Sequence, residues 1–87
     1  MIIGSWLHLG AGFALRFYPG GSGQYDGGGY GSRLPMEWAL SDRNIRIKVG
    51  RADGAGQIEW RDNYAFILTG FSYIHELNGA YIKEVET

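Results

Sequence analysis

Apolar residues recur at every second position along much of this chain: Phe13/Leu15/Phe17, Met36/Trp38/Leu40, Ile45/Ile47/Val49 and Ile58/Trp60, with polar or small residues between. Successive side chains of a β-strand point to opposite faces, so this beat sets one face on a core and the other in water. It predicts an all-β domain, an antiparallel up-and-down meander of about eight short strands with no convincing helix. Such a meander closes into a small barrel or sandwich, or pairs with a second copy, because open sheet edges invite aggregation.

The chain has 87 residues, which predicts a single β domain over 1–87. Three Trp, six Tyr and four Phe in a sequence that is 45% hydrophobic supply a packed core and argue against disorder. A domain this small hides only about 60–65% of its unfolded surface, so a homodimer would widen a thin margin of stability. Eight basic and nine acidic residues leave a formal charge of −1, which provides no field to gather phosphates, so no nucleic-acid partner is expected. Cysteine is absent, removing disulfides and thiol chemistry and fitting a reducing compartment. Met1 to Trp6 lacks the basic start and apolar run of a signal peptide, and no stretch is long enough to span a membrane. The expectation is a cytoplasmic protein without membrane attachment, unless a leader was trimmed.

Glycine, 15 of 87 residues, punctuates the periodic segments. Gly10-Ala11-Gly12 separates a first strand near Ile3 to Leu9 from a second near Phe13 to Tyr18, and Pro19-Gly20-Gly21 turns the chain into Ser22 to Asp26. Gly27 to Arg33 reads as the longest loop and the best candidate for disorder. Met36–Ser41 and Asn44–Val49 flank a tight turn at Asp42-Arg43. Gly50 to Gly56 reads as a turn region before Gln57–Arg61, and Tyr64–Thr69 follows a turn at Asp62-Asn63. Phe71–Leu77 and Ala80–Val85 flank Asn78-Gly79, a strong hairpin signal. Within the seventh strand, Ala65-Phe66-Ile67-Leu68 is apolar on both faces, predicting a central strand or one lying in an interface.

Gly4-Ser5-Trp6, Leu15-Arg16-Phe17-Tyr18-Pro19-Gly20-Gly21-Ser22-Gly23-Gln24-Tyr25, and Glu37-Trp38-Ala39-Leu40 followed by Ile45-Arg46-Ile47 resemble the small bacterial lipocalin-like (calycin-type) domains. Those open on a Gly-x-Trp strand, continue through an aromatic strand and a glycine-rich turn, and then repeat hairpins. The resemblance covers about the first fifty residues. It implies a β-barrel that binds a small ligand, although the chain is shorter than full lipocalins and lacks their C-terminal helix.

No catalytic constellation emerges. The glycine-rich Gly20 to Gly28 lacks both the Lys-Ser/Thr pair of a P-loop and a following helix, so it reads as turn and loop. His8 and His75 have no converging carboxylates at ligand spacing, and no metal or cofactor is expected. His75 with Glu76, or with Tyr73 two residues away on the same strand face, forms an acid/base pair only if that face is concave. Glu37, Glu59, Asp42 and Asp62 read as a solvated face with cross-strand partners among Arg46, Lys48 and Arg61. Aromatics are the surplus class: Trp6, Phe13, Phe17, Trp38, Trp60 and Phe66 read as inward, and Tyr18, Tyr25, Tyr30, Tyr64, Phe71, Tyr73 and Tyr81 include several that core packing does not obviously need. The expected function is a non-enzymatic module, homodimeric, binding a small apolar or aromatic ligand through Trp6, Phe17, Trp38, Trp60, Tyr64, Tyr73 and His75. The alternative is a protein-interaction module acting through a sheet edge or strand 65–68.

Overall fold

The computed structural model describes residues 2–27 and 33–84. Eight antiparallel strands follow one another in sequence order and close into a barrel: β1 (Gly4–His8), β2 (Ala14–Phe17), β3 (Ser22–Asp26), β4 (Arg33–Ser41), β5 (Asn44–Val49), β6 (Ala52–Asp62), β7 (Ala65–Thr69) and β8 (Gly79–Lys83). The seam joins the first strand to the last, with Trp6 opposite Lys83 and His8 opposite Tyr81. This architecture is compatible with a lipocalin-like barrel. Closure gives every strand a neighbour on both sides. Among the described residues no helix is long and apolar enough to cross a membrane.

Alternation accounts for the strands. In β5, Ile45 and Ile47 are buried while Arg46 and Lys48 face water. The charges pair across the sheet surface, Arg46 to Asp53 at 3.0 Å and Lys48 to Glu37 at 3.7 Å. The hydrogen bond from Arg46 holds the Asp53 carboxyl below its ordinary value. Both side chains are exposed, so such pairs order the surface more than they stabilise the fold. Asp42, at φ 58°, makes the tight turn between β4 and β5, a conformation that Asp tolerates.

The core is continuous from end to end. At the lower end, where Gly4 and Lys83 lie, Trp6 is fully buried and its Nε1–H donates to the Ile2 carbonyl at 2.8 Å. Phe66 lies 4.6 Å from its ring, and the Lys83 ammonium sits over it at 5.6 Å. Phe17, Leu15, Met36, Ile47 and Leu68 fill the middle.

The upper end is stoppered by a cap, residues 70–78, that ends in one turn of 3-10 helix at His75–Leu77. Phe71, Ile74 and Leu77 are its buried side chains. Asn78 ties the cap into a ring: its Oδ1 accepts from the Phe71 N–H at 3.0 Å and its Nδ2 donates to the Phe71 carbonyl at 2.8 Å. His8, buried, donates from Nε2 to the Asn78 carbonyl at 2.8 Å, while its Nδ1 accepts from the Gly10 and Ala11 N–H groups. The Tyr81 hydroxyl donates to the Leu77 carbonyl at 2.6 Å. Burial, and secondarily the charge of Tyr25, hold that phenol above its ordinary range. Facing the cap, β6 carries Gly54 and Gly56, and their missing side chains make the room that Phe71 and Ile74 occupy.

Several sequence expectations are corrected here. Phe71–Leu77 is cap rather than strand, and Asn78-Gly79 is not a hairpin turn: Asn78 is extended and Gly79, at φ 136°, opens β8. Gly50 to Gly56 is mostly strand, because β6 begins at Ala52, and β4 begins at Arg33. Of the seven aromatics left outside the inward set, Phe71 and Tyr81 belong to the core, at 2% and 1% exposed. The disorder expected over Gly27 to Arg33 falls on residues 28–32, which lie outside the described residues, as does Tyr30.

Candidate functional site

The seven residues chosen from the sequence do not converge. Trp6 and Phe17 are fully buried, so no ligand reaches them without opening the core, and their assignment to a binding surface is corrected. Trp38 is half-buried; it stands edge-on to Phe17 at 5.5 Å and donates from Nε1 to the Ser22 carbonyl at 2.8 Å. Trp60 is 37% exposed, edge-on to Trp6, beside a register shift between Trp60 and Asp62 in the pairing of β6 with β7. Tyr64, in the next turn, is exposed. Tyr73 and His75 sit at the far end, on the solvent side of the cap. Their expected common strand face does not exist, since both lie in the cap, and the His75 Nδ1 instead faces the Glu76 carboxylate at 3.7 Å. Among the described residues no three metal-ligating side chains gather.

Among the described residues, four surface clefts stand out. Beside Trp60, a cleft of about 570 Å³ is lined mainly by polar side chains, Asp42, Arg43, Gln57, Glu59 and Thr69. A second, about 490 Å³, runs between Tyr18, Tyr64, Ile3 and Lys83 across the lower end. A third, about 240 Å³, is the crevice beneath the Arg46–Asp53 and Lys48–Glu37 pairs. The fourth, about 210 Å³, lies at the upper end and is lined by Tyr25, Leu34, Val49, Ala52, Ile74, Glu76 and Leu77.

The fourth differs in kind. It lies between the upper ends of β3 to β6 and the cap, so its floor is the core itself: Ile74 and Leu77 are buried, and Tyr25, Val49 and Ala52 pack against the core cluster. Two polar groups interrupt an otherwise apolar wall, the Tyr25 phenol and the Glu76 carboxylate. Burial, then the charge of Glu76, raise the Tyr25 phenol above its ordinary value. An apolar concavity with a few placed polar groups is the usual build of a small-molecule site.

None of its lining residues belongs to the seven. Tyr25 carried a signal, as a tyrosine the core did not need, and Val49 and Leu77 end alternating runs. Ile74 and Glu76 carried none, because the cap was read as a strand. No protein-family model matches the chain, and neither the curated proteins nor the solved structures hold a match.

Proposed function

We propose that this protein is a non-enzymatic, lipocalin-like binding module that takes a small apolar or aromatic ligand in the cleft between the cap and strands β3 to β6. The observation that carries this reading is the cleft's construction: an apolar pocket of about 210 Å³ floored by the core and bordered by a tyrosine and one carboxylate. A cavity of roughly 150 Å³ accommodates benzene, so the volume matches one or two small rings. Titrating indole into protein labelled at its methyl groups tests the reading. Saturable shifts confined to Leu34, Val49, Ile74 and Leu77 are expected, and Leu34→Trp, which fills the cleft from its exposed rim, abolishes them. Methyls unmoved at millimolar indole would refute the site.

A second reading, self-association, is favoured by the outer wall of β7, β8 and β1. Leu7 pairs with Ile82 and Ala14, Ile82 with Ala65, and Ile67 with Ala80, so the outward side chains there form an uncharged apolar stripe. On β4 to β6 the outward positions carry Glu37, Arg46, Lys48, Asp53, Glu59 and Arg61, and Glu59, directly opposite Ile67, marks the edge of the stripe. An apolar patch on one side of a small domain marks an interaction surface. In this reading the protein is a dimer by analytical ultracentrifugation, and Ile67→Glu yields monomer with unchanged far-ultraviolet circular dichroism. A monomeric wild-type protein would count against it.

A further inference from the structure

Resting on the cleft reading above, we infer that the cap cleft selects a cationic ligand, an amine carried on a compact apolar or aromatic body, and that Glu76 is the specificity-determining residue. Of the seven residues that line the cleft, Glu76 alone bears a formal charge. The other polar group, the Tyr25 hydroxyl, both donates and accepts and so favours neither sign. Two further cations stand at this end of the barrel, Arg33 at the start of β4 and Arg51 in the turn before β6, but neither lines the cleft. The His75 Nδ1 lies 3.7 Å from the Glu76 carboxylate, with its ring 79% exposed on the solvent side of the cap. Within the cleft's own lining, among the described residues, the formal charge is therefore negative.

The three ligand charges fare differently in such a cleft. An ammonium makes a charge-assisted hydrogen bond to the carboxylate while its apolar body displaces water from Leu77, Ile74 and Val49. It also lies within reach of the Tyr25 ring, whose electron-rich face attracts cations. A neutral isostere keeps the apolar contact and loses the ion pair. A carboxylate meets like charge with no cation among the described lining residues to compensate. Glu76 and Tyr25 line the same cleft, so the carboxylate acts inside it and not only on the outer surface. Its side chain is 57% exposed, so water screens the pair, and a preference of about tenfold rather than thousandfold follows.

Three near-isosteric probes separate the terms: phenethylamine, 2-phenylethanol and 3-phenylpropanoate, titrated into the full chain with methyl shifts as the readout. The amine is expected to bind about tenfold tighter than the alcohol, and the carboxylate weakest. In Glu76→Gln, a surface substitution that leaves the fold intact, the amine's advantage falls to within about twofold while the alcohol binds as before. An alcohol or carboxylate that matches the amine, or an amine preference that survives Glu76→Gln, overturns the charge selection and leaves the ligand site standing. If none of the three shifts the cleft methyls, the site itself is overturned and the selection with it.

Discussion

Trp6→Ala is expected to lower stability by about 3–5 kcal/mol, the range for removing a buried tryptophan. A domain of 87 residues has a total of roughly 4–13 kcal/mol, so the loss removes a large share of it, and at the low end of that range leaves the protein largely unfolded. Several losses coincide at this side chain. The indole is fully buried, its ring packs 4.6 Å from Phe66 and 5.6 Å from Trp60, and it carries the Lys83 ammonium. Its removal leaves a cavity at the lower end and deprives the Ile2 carbonyl of its donor. The urea midpoint, followed by circular dichroism, reads the effect. Trp6→Phe, which keeps an aromatic ring and loses the Nε1–H, is expected to fall between alanine and the wild type. A loss under about 1 kcal/mol for Trp6→Ala would show that the lower end repacks around the gap.

Gly56→Ala is the second large effect. A Cβ at this position falls against the Thr69 carbonyl oxygen and 2.6 Å from the Phe71 ring. The first obstacle is backbone in a paired strand and has no rotamer to change. Relief requires parting β6 from β7 or lifting the cap, and the expected cost is about 2–4 kcal/mol. Gly54→Ala makes the informative contrast. The nearest atoms its Cβ would meet belong to the buried Ile74 and Phe71 side chains, which unlike a paired backbone can change rotamer, so it is expected to cost less. Both substitutions are read by urea unfolding, and the order Gly56→Ala worse than Gly54→Ala is the outcome that matters. The reverse order would mean that the fit of the cap, and not the strand pairing, limits stability.

The same two glycines explain where the sequence was misleading. Strands whose inward positions carry large side chains announce themselves, as Ile45, Ile47 and Val49 do for β5, and the bounds Asn44–Val49 are those expected. In β6 the inward positions Gly54 and Gly56 have no side chains, the beat falls silent, and Gly50 to Gly56 reads as turn. The space they leave is filled from the cap, and there Phe71, Tyr73, His75 and Leu77 imitate a strand's alternation by coincidence. What marks the cap as something else is the side chain of Asn78 reaching back seven residues to both polar groups of Phe71, an interaction with no signature in local pattern. The site was illegible for a related reason. Aromatic surplus drew attention to Trp6 and Phe17, which a barrel this narrow consumes as core, while the cleft is built from aliphatic residues that only tertiary packing assembles.

The seam between β1 and β8 has a consequence for how this molecule can be divided. Its hydrogen bonds join residues more than seventy positions apart, ending with the Glu84 N–H donating to the Ser5 carbonyl at 2.9 Å. The walls of the cleft come from β3 to β6, yet the cap that completes it is slung between β7 and β8, and β8 is held in turn by β1. Cutting anywhere thus removes a wall, a lid or the clasp that fastens the lid. The cleft is therefore a property of the closed ring of strands, and no shorter stretch of the chain carries it complete.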